Sequence, residues 1–170
     1  MDSILTRRSI RKYTDKPVPD ELVTELLRAA MAAPSAGNQQ PWQFVVVRER
    51  RLLEAIASAT PYSGMTRGAQ LAVVICGDLS REQNPGFWVQ DCAAATENLL
   101  IAANALGLGA VWLGFYPREE RVATLRSLFG LPEDIVPFAV VPVGYPADHP
   151  EPADRFDENR IHFDRWQEKT

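Results

Sequence analysis

A layered α/β or α+β domain is what this sequence predicts, on three observations. Short, continuously apolar runs that read as buried strands (QFVVV at 43–47, LAVVICG at 71–77, PFAVVPVGYP at 137–146) alternate with segments whose apolar residues recur at helical spacing. No internal repeat, low-complexity stretch or linker divides the chain. Its 170 residues, 46% apolar and 24% charged, suffice for one sizeable core, so residues 1–170 are expected to form a single domain.

Taken in order, SILTRRSIR (3–11) has the spacing of a short amphipathic helix, closed by the turn-rich TDKPVP. Asp20 then opens a clear helix, in which Leu22, Val23, Leu26, Leu27, Ala30 and Met31 share a face and Pro34 ends the run. APSAGNQQP is a loop by composition and feeds the 43–47 strand. ERRLLEAIASA (49–59) reads as a helix, PYSGMTRG (61–68) as a loop, and LAVVICG as a strand covered on both faces. Residues 91–108 are apolar round most of a helical circumference, which predicts a long central helix. A strand over AVWLGFY (110–116), a helix over 118–130 and the 137–146 strand follow. The tail from Ala147 is polar and irregular, with Phe156, Phe163 and Trp166 as apolar anchors.

The composition excludes several kinds of chemistry. With 22 acidic residues against 18 Lys and Arg, the formal charge is −4, which argues against broad binding to nucleic acid or anionic membranes. No apolar run is long enough for a spanning helix, because Glu97, Asn98 and Asn104 interrupt the best candidate. The opening MDSILTRRSIRKYTDK carries charge where a signal peptide carries its apolar stretch, so a cytoplasmic location is expected. Cys76 and Cys92 form no CxxC pair and lie in apolar settings, where a free cysteine acts as a small hydrophobe. His149 and His162 have no ligand spacing, so no metal site is expected. There is no GxSxG elbow and no phosphate-binding GxxxxGK loop.

Four constellations remain. TRRSIRKY places Arg7, Arg8, Ser9, Arg11 and Lys12 together with no acid, and guanidinium forks beside a hydroxyl suit a phosphate. By composition alone the cluster reads first as a solvated basic helix face. APSAGNQQPW (33–42) offers amide donors and acceptors for the edge of a heteroaromatic ring, and reads equally as an ordinary helix stop before a strand. In ALGLGAVWLGFYP, Gly107 and Gly109 mimic the start of a dinucleotide fingerprint. The third glycine is replaced by Trp112, and helix, glycines and strand come in the reverse order. Gly107 instead suits a left-handed helix cap, and Gly114 would let a flat ligand approach the backbone. Arg160 sits in the acidic tail, where pairing with Asp157 or Asp164 is the plainer reading.

In this order and spacing, RRSIRKY, PSAGNQQPW, GLGAVWLGFYP, VVPVGYP and a late arginine resemble the FMN-dependent nitroreductase family across essentially the whole chain. The resemblance implies an α+β fold with a mixed, largely antiparallel sheet wrapped by helices. It also implies an intertwined homodimer with FMN at the subunit interface. Arg7, Arg8, Ser9 and Arg11 would hold the ribityl phosphate and the pyrimidine side of the flavin, and Arg160 would reach the phosphate from the tail. Pro34, Ser35 and Ala36 would come from the partner subunit, with Asn38 supporting their loop. Trp112, Leu113 and Gly114 would meet the middle of the ring through backbone groups, because Leu113 stands where many members carry an acid. Tyr62, Met65, Arg67, Phe87 and Trp88 could border the substrate, although each reads first as core or surface. The implied activity uses NADH or NADPH to reduce nitroaromatics, quinones or similar flat acceptors, with no catalytic side chain required. Enone reduction, reductive dehalogenation and a non-catalytic FMN-binding module are the alternatives on the same scaffold, and a cofactor-free α/β protein is the plainest rival.

Overall fold

The computed structural model describes residues 1–168. Five strands form one sheet: β1 (Trp42–Val47), β2 (Leu71–Asp78), β3 (Gly109–Ala110), β4 (Leu113–Gly114) and β5 (Ile135–Gly144). β2 lies between β1 and β5, while β3 and β4 both pair with β5, and every strand pairing is antiparallel. Helices α1 (Asp2–Leu5), α2 (Asp20–Met31), α3 (Arg50–Ser58), α4 (Trp88–Ala105) and α5 (Glu119–Phe129) surround it. This is the α+β architecture that the family resemblance implied, with every strand pairing antiparallel where a mixed, largely antiparallel sheet was expected.

The continuous apolar run of β2 has the predicted cause. Val73 and Ile75 face α2 and α4, where they pack with Leu26, Ala30, Leu99 and Ala103. Ala72, Val74 and Cys76 face the other way, toward Leu53 and Ile56 of α3 and Leu125 of α5. A strand with a core on each side has no polar face to show. Both cysteines are free and buried, and burial pushes the Cys76 thiol up to about 12 and the Cys92 thiol up as well. They fill space rather than react. No helix among the described residues is long and apolar enough to cross a membrane.

Two expectations are corrected. The helix predicted over 3–11 ends at Leu5, and the following residues run extended beside β3. Ser9 forms a parallel bridge to Ala110, and the Ile10 N–H donates to the Ala110 carbonyl at 3.0 Å. Gly109 permits this approach, since a Cβ there would lie 2.5 Å from Ile10 Cγ2. The single strand predicted over 110–116 is broken into β3 and β4 at Val111–Trp112. Flanking pairs place Pro142 of β5 opposite Val111, and proline has no N–H to continue the ladder. The cap at Gly107 is as predicted. Its φ is +71°, its N–H donates to the Asn104 carbonyl at 3.1 Å, and the Leu108 N–H donates to the Ala103 carbonyl at 2.8 Å. These two bonds form a Schellman motif.

Candidate functional site

Extension of the arginine segment along β3 decides what its side chains can do. With Ile10 buried against Gly109 in an extended segment, its neighbours Ser9 and Arg11 face the other way and are exposed. Arg7, Arg8, Ser9 and Arg11 surround a small cradle of about 190 Å³, and Arg155 of the tail joins them. No acid lines it. Arg7 is held from behind by α4, its Nε donating to Glu97 Oε1 at 3.0 Å. The family resemblance named Arg160 as the tail arginine for the phosphate, whereas the residues alone favoured its pairing with Asp157 or Asp164; in this chain its Nε donates to Asp157 Oδ2 at 3.1 Å and the side chain is 81% exposed. Among the described residues of the tail, Arg155 is the one brought to the cluster.

Arg11 also borders a second, larger space of about 610 Å³. One wall of this cleft is the backbone from Val111 to Gly114, where the edge strand is interrupted. Gly114 leaves that wall bare: a Cβ there would meet no heavy atom within 4 Å, so the fold's own packing does not require glycine. The opposite lip is Tyr62 and Met65, carried on the turn before β2. Fully buried Ser63 pins this lip, its hydroxyl donating to the Ala57 carbonyl and accepting the Thr60 N–H at 3.1 Å. Arg121, in the first turn of α5, completes the lining, with Nη1 donating to the Gly114 carbonyl at 3.0 Å.

Cradle and cleft together bring Arg7, Arg8, Ser9, Arg11, Trp112, Leu113 and Gly114 to one face of the molecule. Of the five residues named for the substrate space, Tyr62 and Met65 line the cleft and the others do not. Trp88 is core, packed edge-on against Tyr116 at 4.8 Å and closing over Gly77. Phe87 is half exposed, and Arg67 gives only its carbonyl to Arg50.

Loop 34–38 lines neither space in this chain. It is nevertheless rigidly built. Gly37, Asn38 and Gln40 have φ of 55°, 55° and 47°, left-handed residues around a right-handed Gln39 that need external support. Asp91 of α4, only 4% exposed, provides it by accepting the Ala36 N–H at 2.9 Å and Gln39 Nε2 at 2.7 Å. Gln39 in turn accepts the N–H groups of Gln83 and Asn84 at 3.0 and 3.1 Å. The expected support from Asn38 is thus carried by Gln39 and Asp91, while Asn38 is exposed and its N–H donates to the Ser35 carbonyl.

Arg155, Arg121, Gln39 and Asp91 are the residues that sequence reasoning did not single out. Asp91 carried one usable signal, an acid in the opening turn of a helix that is otherwise apolar nearly all round.

Comparison with known proteins agrees with this architecture. A family model described as the nitroreductase family matches residues 4–145. A Methanothermobacter thermautotrophicus protein, provisionally named NADH dehydrogenase/NAD(P)H nitroreductase, is 52% identical, over 98% of this chain and 87% of its own. The oxygen-insensitive NADPH nitroreductase of Salmonella typhimurium is 30% identical over 94% of this chain and 71% of its own. A Desulfovibrio desulfuricans protein, provisionally named a nitroreductase and solved in complex with FMN, superposes with a TM-score of 0.84. It is 33% identical, with 98% of this chain and 96% of that one covered.

Proposed function

The chain belongs to the nitroreductase family, and we propose that it is an FMN-dependent NAD(P)H oxidoreductase whose site is formed by two copies of the chain. The observation that carries this reading is the position of Arg11 on both the acid-free cradle and the flat-walled cleft. A ligand with a phosphate at one end and a planar ring at the other fits both spaces through one guanidinium. The residues present suit FMN: several arginines with a hydroxyl for the phosphate, and backbone with a bare glycine for the ring.

When bound, FMN supplies the redox chemistry, taking a hydride from NADH or NADPH and passing electrons to a flat acceptor such as a nitroaromatic or quinone. The chain's own work is binding and orientation. Arg7, Arg8, Ser9 and Arg155 would hold the phosphate, with Arg7 braced by Glu97. Arg11 would reach from the phosphate toward the pyrimidine side of the ring. Trp112, Leu113 and Gly114 would meet the ring through backbone groups, since Leu113 brings no charge. Pro34, Ser35 and Ala36, on the loop fixed by Asp91, would complete the site of the partner subunit. Their absence from the lining of the cradle and cleft of their own chain supports that assignment. So does the exposure of Phe156, Phe163 and Trp166 on the tail, which is apolar surface suited to a second copy.

Two experiments test the reading. Protein loaded with FMN and mixed anaerobically with NADH or NADPH should lose its yellow absorbance. No bleaching with either donor would leave only a flavin-binding module, and failure to take up FMN would overturn both. Gly114→Val should leave thermal stability within about 0.5 kcal/mol of wild type, because its side chain enters open space. It should weaken FMN binding by about tenfold or more through crowding of the cleft wall. Fluorescence titration of FMN alongside a melting curve reads both.

A further inference from the structure

The cleft carries one charge that the flavin reading does not use. Arg121 is half-buried in the cleft lining and reaches both of its sides: Nη1 donates to the Gly114 carbonyl at 3.0 Å, and Cζ lies 5.8 Å from the centre of the exposed Tyr62 ring. No carboxylate forms an ion pair with it among the described residues, and no Asp or Glu lines the cleft. Its neighbours Glu119 and Glu120 are exposed and lie outside the lining. A guanidinium presents five N–H donors in a planar fork, and the bond to Gly114 occupies one. The rest of the fork has no acid partner among the described residues and belongs to the lining of a cleft bordered by two arginines, in a protein of net charge −4.

We propose that Arg121 selects electron acceptors that carry a carboxylate or similar oxyanion on a flat ring. With the flavin against the 112–114 wall, the acceptor's ring would stack on the flavin's other face, on the Tyr62 side of the cleft, and its anionic group would meet the free side of the Arg121 fork. A fork of this shape binds a carboxylate through two parallel bonds, whereas a neutral amide of the same shape can accept at only one oxygen. This inference rests on the flavin reading, so FMN uptake and bleaching by NADH or NADPH are measured first on the same samples.

Benzoate and benzamide, which have nearly the same shape, are then titrated into the oxidised FMN-loaded protein and followed by the perturbation of the flavin spectrum. Wild type should bind benzoate about tenfold more tightly than benzamide, the difference expected of one charge-assisted contact. Arg121→Gln should bind the two alike, with benzamide affinity unchanged as the sign of an intact cleft. Arg121→Lys, which keeps the charge and loses the fork, should recover part of the preference. Rapid mixing of pre-reduced protein with 4-nitrobenzoate and 4-nitrobenzamide should show the same ranking in the rate of reoxidation. Equal affinities in wild type, or a benzoate preference that survives Arg121→Gln, would overturn the proposal while leaving the flavin reading intact. A change confined to reduction by NADPH would also overturn it, by assigning Arg121 to the donor. Failure of FMN uptake or bleaching would overturn both.

Discussion

Asp91→Ala should destabilise the protein by about 3 kcal/mol, the sum of two hydrogen bonds to a buried carboxylate less the cost of burying it. For a chain of this length that corresponds to a fall in melting temperature of about 6–12 °C. The size follows from how little freedom the network has. Gln39 must turn Oε1 toward the Gln83 and Asn84 N–H groups, which fixes Nε2 on Asp91. Ala36 presents a second donor to the other carboxylate oxygen. Both groups facing residue 91 are therefore donors, and only a residue with two acceptors satisfies them.

Asp91→Asn tests that logic more sharply than alanine. Whichever way its amide turns, one NH₂ meets a donor, so the isosteric change should cost about 2 kcal/mol despite the preserved shape. Gln39→Ala combined with Asp91→Ala should cost less than the sum of the two single changes by about 1 kcal/mol or more, because both break one network. Denaturant unfolding of these variants beside wild type measures this. If the Asp91→Asn protein unfolded at the wild-type midpoint, the loop would not depend on the carboxylate. Function should follow stability only in part. Gly37, Asn38 and Gln40 hold left-handed conformations that relax without the clamp, so the loop should become sensitive to protease while the arginine cradle, on the other strand edge, stays formed.

The sequence revealed those features that depend on near neighbours. Helix α2 was readable because Leu22, Val23, Leu26 and Leu27 repeat on one face, and the end of α4 because Gly107 alone tolerates φ +71°. β2 was readable because no polar residue interrupts it from Leu71 to Gly77. What failed depended on distant partners. SILTRRSIR has helical spacing, yet Ile10 gains more from burial against Gly109 and a bond to Ala110, about a hundred residues away. The break between β3 and β4 reflects Pro142 on a neighbouring strand and leaves no mark in VWLG itself. The site divides the same way. Its basic cluster and its glycine-bearing wall are contiguous motifs and could be found. Asp91, Arg121 and Arg155 act across the fold from segments that look like an ordinary helix, a surface helix and an acidic tail.

Arg155 provides the second large effect. Arg11→Ala combined with Arg155→Ala should weaken FMN binding by about 100-fold or more, since each removes a charge-assisted bond to phosphate of roughly 1.5–3 kcal/mol. These two are cleaner than Arg7, whose removal would also leave Glu97 of α4 without its partner. Riboflavin, which has the ring and no phosphate, separates cradle from cleft. The Arg155→Ala variant should bind it as wild type does, whereas Arg11→Ala should lose some affinity for both ligands, because Arg11 borders both spaces. The wild-type preference for FMN over riboflavin should shrink as salt is raised, because screening weakens the arginines' attraction for phosphate. Arg160→Ala is the deciding control. Its guanidinium already holds Asp157 and is largely exposed, a pairing of small energetic consequence, so FMN affinity should stay within about twofold. If Arg160→Ala lost FMN and Arg155→Ala retained it, the tail would have to follow a different path in the two-chain assembly, with Arg160 delivered to a cradle by that path. The arginine that governs phosphate affinity thus also reports where the tail runs.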